Sequence, residues 1–219
     1  MTARGDITRE RLLDAAERLY GERGVGAVSL REIRLAAGQR NSSALQFHFG
    51  DRDALLLALT ERHLPRLAAI QQEMYDGLRA AGGQHDLRSL IETMIRPSAE
   101  YVRRGPGERA WIKISAELSA RPETRWRDVI DHAPAVALEV GAAVHDHLVA
   151  SLPTAVAADR IRSVGQACLH LCADRARLED SAGPGVRRPL AFEVWAANLV
   201  DMAVGAMTAP VGAPALRRR

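Results

Sequence analysis

The sequence has almost no lysine: Lys113 is the only one, and arginine supplies the other 29 of its 30 basic side chains. That bias reads as coding preference more than chemistry. Cysteine is as scarce. Cys168 and Cys172 are too few for a disulfide framework. Their i, i+4 spacing puts both on one helix face, where free thiols pack as small hydrophobes. His170 points to a different face, so no metal pair is expected. No apolar run approaches the ~20 residues a membrane span needs. The opening Met1-Thr2-Ala3-Arg4-Gly5-Asp6 leads into no signal-peptide core. The expectation is a cytoplasmic protein without a membrane partner. HExxH, GxSxG and a phosphate-binding glycine loop are also missing. The histidines of His145-Asp146-His147 fall on different helix faces. No catalytic residue, metal or cofactor is therefore expected; a helical enzyme, or a ligand-binding protein without DNA function, is the remote alternative.

Excess charge is small as well. The net formal charge is +3, which does not by itself call for nucleic acid. Residues 1–62 hold ten arginines against nine acidic side chains, so a basic surface there must come from placement. What the 219 residues do carry is an ordinary globular composition, 47% hydrophobic and 26% charged. No strand signal and no internal repeat interrupt the helical periodicity.

The informative stretch is SLREIRLAAGQRNSSALQFHFGDRDALLL, from Ser29 to Leu57. Ser29 with Glu32 makes a capping box, and Gly38 ends that helix where a left-handed residue is easiest. After the polar run Gln39-Arg40-Asn41-Ser42-Ser43, any of the last three residues can cap a very short helix over 44–48. Asp51 then caps a long helix beginning at Arg52. Two short helices around a glycine turn, the second rich in polar side chains, suggest a helix-turn-helix. The chemistry suits double-stranded DNA, because Arg bonds guanine edges, Asn and Gln bond adenine edges, and Ser or His can hold phosphate. A plain helical hairpin with a solvated face has the same spacing.

Around it, residues 1–7 read as a flexible arm. Thr8–Arg23 reads as a first helix with Leu12, Leu13, Ala16, Leu19 and Tyr20 inward, and Asp14 and Arg18 as an outward pair. It should close a three-helix core on Ile33, Leu45 and Phe49. The long helix from Arg52 to about Ala81 contains Pro65, which predicts a kink or break near Arg62–Leu64. Further helices are expected over 86–103, 108–120, 124–151, 154–180 and 190–208, then a tail over 209–219. Residues 190–208 are apolar nearly all round, as in a helix buried on several sides. The last two helices carry more apolar surface than one domain needs. They are expected to pair with their copies in a twofold four-helix bundle, with Ile161, Cys168, Trp195, Leu199 and Met202 at or just behind the interface.

Residues 8–62 resemble the N-terminal domain of the TetR family of transcriptional repressors. The landmarks are Thr8-Arg9-Glu10-Arg11-Leu12-Leu13-Asp14-Ala15-Ala16, Leu19-Tyr20, Glu22-Arg23-Gly24, Ser29-Leu30-Arg31-Glu32-Ile33, Ala37-Gly38, His48-Phe49 and Arg52-Asp53-Ala54-Leu55-Leu56. The turn is one residue longer than the family pattern. Phe47 stands where family members often carry a phosphate-bonding tyrosine. Arg34 replaces the small residue that commonly follows the isoleucine and is expected to reach outward to DNA.

The resemblance implies an all-α protein, with a DNA-binding domain over 1–50, a connecting helix starting over 51–64, and a regulatory and dimerisation domain over 65–208. It also implies a homodimeric repressor released by a small apolar or amphipathic molecule; an activator or ligandless repressor is the alternative. Arg40, Asn41, Ser43 and Gln46 are the expected base readers, and Ser42, His48, Arg52 and Thr8 the expected phosphate contacts. Met94, Tyr101, Trp111, Ser115, Trp126, His132 and His145 form the expected effector lining.

Overall fold

A computed structural model of the chain describes residues 3–82, 86–120, 133–181, 185 and 187–212. Three short elements form a head. Helix α1 (Ala3–Arg23) opens ahead of Thr8, so residues 3–7 of the expected arm are instead the first turns of the helix, with Asp6 near its positive end. Its five expected inward residues are all buried. Helix α2 (Leu30–Ala36) has its capping box in place, the Ser29 hydroxyl accepting from Glu32 N and the Glu32 carboxylate accepting from Ser29 N at 2.8 Å. Caps of this kind stabilise by ~1 kcal/mol. Gly38 follows at φ 70, a value that other residues adopt only with strain. Helix α3 (Ala44–Phe49) buries Leu45 and Phe49 against α1 and α4.

Helix α4 (Arg52–Ala80) starts on Asp51, whose carboxylate accepts from Ala54 N. It runs unbroken through Pro65, where the sequence predicts a kink or a break. Pro65 and Glu61, whose carbonyl loses its partner, both lie on the exposed side, so water can take the freed carbonyl. The body comprises α5 (Leu87–Arg104), α6 (Pro106–Ser119), α7 (Ala135–Val149), α8 (Thr154–Asp180) and α9 (Phe192–Thr208). Residues 124–132 of the expected 124–151 helix lie outside the described residues; the described part begins after Pro134, which caps α7. Helix α5 is central. It packs on α4, α6, α7, α8 and α9, burying Leu90, Ile91, Ile95, Ala99, Tyr101 and Val102. Cys168 and Cys172 are buried in α8, and burial pushes their thiols up to about 11 and about 12.

Head and body meet at a polar junction. Arg62 on α4 pairs with Glu10 at 2.6 Å, Asp14 at 2.8 Å and Glu17 at 3.2 Å on α1. Asp14 therefore pairs across helices, and Arg18 pairs with Glu22 instead. Next to it His63 is 1% exposed. Its Nε2 lies 2.7 Å from Glu17 and its Nδ1 2.7 Å from the Tyr101 hydroxyl, while its ring stacks on Trp111. Burial raises the Glu17 carboxyl, but the His63 hydrogen bond and the charges of His63 and Arg62 bring it below the usual range. Burial, with Glu108 nearby, pushes the Tyr101 phenol up to about 12.

Helix α6 holds the head directly. The Glu117 carboxylate accepts from Val25 N at 2.7 Å and Gly26 N at 3.3 Å. A Cβ on Gly21 of α1 would come within 2.4 Å of Ala110 Cβ, so only glycine allows the two helices this approach.

Candidate nucleic-acid interface

The candidate surface is built by the turn between α2 and α3 and by α3 itself. Arg34 shapes the turn from inside, its guanidinium donating to the carbonyls of Gln39 and Arg40. It is thus engaged by the longer turn, contrary to the outward reach expected of it. Asn41 organises the entry to α3, its side-chain oxygen accepting from Ser43 N at 3.1 Å and Ser43 Oγ at 2.8 Å. Ser43 occupies the N-cap position without a side-chain cap bond. Phe47 N donates to Ser43 O, and Gly50 N to Gln46 O, so Ser43, Gln46, Phe47 and Gly50 share one face of the helix.

That face is open. Arg40, Asn41, Ser42, Ser43 and Gln46 are exposed, and His48 is half-buried against Phe49. Phe47, absent from the expected contacts, is the most exposed large apolar side chain among the described residues, at 84%. Thr8 lies half-buried on α1. Arg52 donates to Val25 O at 2.7 Å and Val28 O at 2.8 Å. It ties α4 to the α1–α2 connection, a positioning role that the expected phosphate contact did not anticipate.

The expected effector residues are spread over three helices. Tyr101 and Trp111 are buried around His63. Met94 is partly buried against the core, and Ser115 donates to Ile112 O. His145 is partly exposed beside Asp146 on α7. Trp126 and His132 lie outside the described residues. Of the expected interface residues, Cys168 and Leu199 face the chain's own core, Ile161 and Trp195 are partly buried, and Met202 is exposed. Among the described residues no group of His, Cys, Asp or Glu is placed to hold a metal. Among the described residues no helix is long and apolar enough to cross a membrane.

A capped helix, a glycine turn and a short exposed helix on a three-helix core define a helix-turn-helix head on an all-helical body. Residues 12–59, which make up most of the head, match the model of the family described as bacterial regulatory proteins, tetR family. The chain is 32% identical over 128 residues to the HTH-type transcriptional repressor Rv1474c of Mycobacterium tuberculosis, across 54% of this chain and 64% of that protein. It is 29% identical to the HTH-type transcriptional repressor AcnR of Corynebacterium efficiens, across 60% and 64%. The matches thus span less than two thirds of these relatives. The fold is shared over 95% of the chain with a crystal structure of an HlyIIR mutant protein, at a TM-score of 0.52 and 16% identity, covering 98% of that chain.

Proposed function

We propose that the chain is a homodimeric transcriptional repressor that binds a near-palindromic DNA operator and is released by a small apolar or amphipathic molecule. The observation that carries this reading is the set of exposed polar side chains Arg40, Asn41, Ser42, Ser43 and Gln46, presented by a capped helix-turn-helix similar to the tetR family. Arg40, Asn41, Ser43 and Gln46 are the proposed base readers, with Ser42, His48 and Thr8 on phosphate. Arg34 and Arg52 act behind them by shaping the turn and seating α4. The two relatives bearing the word repressor in their names support the direction of control.

Dimerisation is assigned to α8 and α9. Ala196, Leu199, Val200, Ala203 and Met207 of α9 face inward, while Val194 and Met202 remain more than half exposed. A second copy covering that outer face gives the twofold symmetry a palindromic site requires. The effector is proposed to bind among α5, α6 and α7, near Met94, Ser115 and His145. Residues 1–50 then form the DNA domain, 51–64 the start of the connector, 65–208 the regulatory and dimerisation domain and 209–219 a tail.

The test is selection of duplexes from a random DNA pool, followed by mobility shift across a salt series. A near-palindrome should emerge, and Gln46→Ala should cost roughly 1–3 kcal/mol while relaxing preference at one base pair per half-site. Recovery of no preferred sequence refutes operator recognition. Transcription from that operator, with and without the protein, distinguishes repression from activation. A metabolite screen read by tryptophan fluorescence then asks whether binders also release DNA, with a coupling of ~1–3 kcal/mol.

A further inference from the structure

Phe47 is an oddity on a polar surface. Its ring is 84% exposed, and its one aromatic neighbour of note is the edge of His48, with centroids 5.2 Å apart. It buttresses nothing in the head core, where Leu45 and Phe49 fill the inner side of α3. A single exposed apolar side chain is ordinary on a protein surface; what sets Phe47 apart is its place on the open polar face of α3. The helix gives its direction. Phe47 lies one turn from Ser43 and beside Gln46 on the same open face. A Cβ on Gly50, one turn further on, would meet nothing within 4 Å, so the ring has free space on that side.

A phenyl ring has no donor or acceptor and cannot hold phosphate. In the major groove one base feature is apolar, the thymine C5-methyl group. We propose that Phe47 is a specificity-determining residue that reads a thymine methyl at one position of each operator half-site. This rests on the operator-binding reading above. Gln46 and Ser43 then supply the hydrogen bonds of the same face, and Phe47 supplies the contact that a hydrogen-bonding code lacks.

The experiment uses the full chain and the operator recovered by selection. Each thymine is replaced singly by uracil, which removes the methyl and leaves every hydrogen-bonding atom in place. At one thymine per half-site the wild-type protein should lose about fourfold in affinity, the value of one buried methyl-sized group, and at other positions nothing. Phe47→Ala should bind the thymine operator more weakly and be indifferent to uracil at that position, while Phe47→Leu should keep the sensitivity. Because the ring is exposed, both variants should keep the wild-type helical signal and unfolding midpoint. Uracil tolerated everywhere by wild type overturns the proposal, as does Phe47→Ala retaining the uracil penalty or a half-site without thymine. Each of those results leaves operator binding intact. If selection yields no operator at all, the failure is that of the reading beneath it.

Discussion

Replacing Gly21 with alanine pits two opposing effects against each other. In a helix interior alanine is favoured over glycine by about 0.8–1 kcal/mol, so the exchange should stabilise α1 taken alone. Here the new Cβ would sit 2.4 Å from Ala110 Cβ and 2.8 Å from Ala110 Cα. A Cβ has no rotamer with which to escape, and the obstacle includes backbone. Helices α1 and α6 must therefore separate, pulling on the Glu117 contacts to Val25 and Gly26. Overpacking of this kind costs ~1–3 kcal/mol, at times more. Steric cost should at least cancel that gain, leaving a net loss of about 0–2 kcal/mol. Gly77 of α4 is the control: nothing lies within 4 Å of its Cβ position, so Gly77→Ala should gain about 0.5–1 kcal/mol. Urea unfolding of the three proteins gives the comparison through the midpoint at constant slope. Pairing Gly21→Ala with Ala110→Gly should recover part of the loss, since Cα remains close. If Gly21→Ala proves as stabilising as Gly77→Ala, the two helices do not approach as described.

Other perturbations test separate parts of the molecule. His63→Ala removes one hydrogen-bond partner from the Glu17 carboxylate and one from the Tyr101 hydroxyl, and opens a void beside Trp111; unfolding should show a loss of about 3 kcal/mol. Arg52→Ala should destabilise the head by about 1.5–3 kcal/mol through two lost charged hydrogen bonds to Val25 O and Val28 O, visible as faster amide exchange around residues 25–28. The Glu32 carboxyl is held down to about 2, first by its bond from Ser29 N and then by the Ser29 hydroxyl and Arg23. Because its folded value is depressed, its contribution is full above about 4.5 and is lost as pH falls toward about 2, which carboxylate NMR shifts of Glu32 can follow. Met202→Glu should leave the fold intact, its side chain being 53% exposed, yet turn a dimer into a monomer by light scattering at micromolar concentration; an unchanged mass refutes the assigned interface.

The parts of the fold that could be read in advance are those with local causes. Ser29 and Glu32 are three residues apart, Asp51 caps its own helix, and Gly38 needs only its own φ. The inner face of α1 follows from periodicity. At Pro65 the sequence shows the missing hydrogen bond but not that the freed carbonyl faces outward. The intramolecular partners of Arg34 and Arg52 were hidden for a related reason. A guanidinium beside a recognition helix has the chemistry for DNA, and only the folded turn reveals nearer carbonyls that engage it. His63 gave no signal at all: its partners, Glu17, Tyr101 and Trp111, come from three other helices. Gly21 resembled any helix-weakening glycine until Ala110 arrived beside it.

The Glu117 contact with Val25 and Gly26 has a mechanical consequence. The head is fastened along α4 and again at the tip of α1 by α6. A panel hung from one post swings freely; fastened to two posts that are themselves linked, it travels only as they do. The head therefore has little freedom to pivot about α4 alone, and a displacement of α6 carries it along as a unit. In the twofold pair proposed above, such a displacement would alter chiefly the span between the two proposed recognition helices, the quantity to which a duplex of fixed pitch is most sensitive.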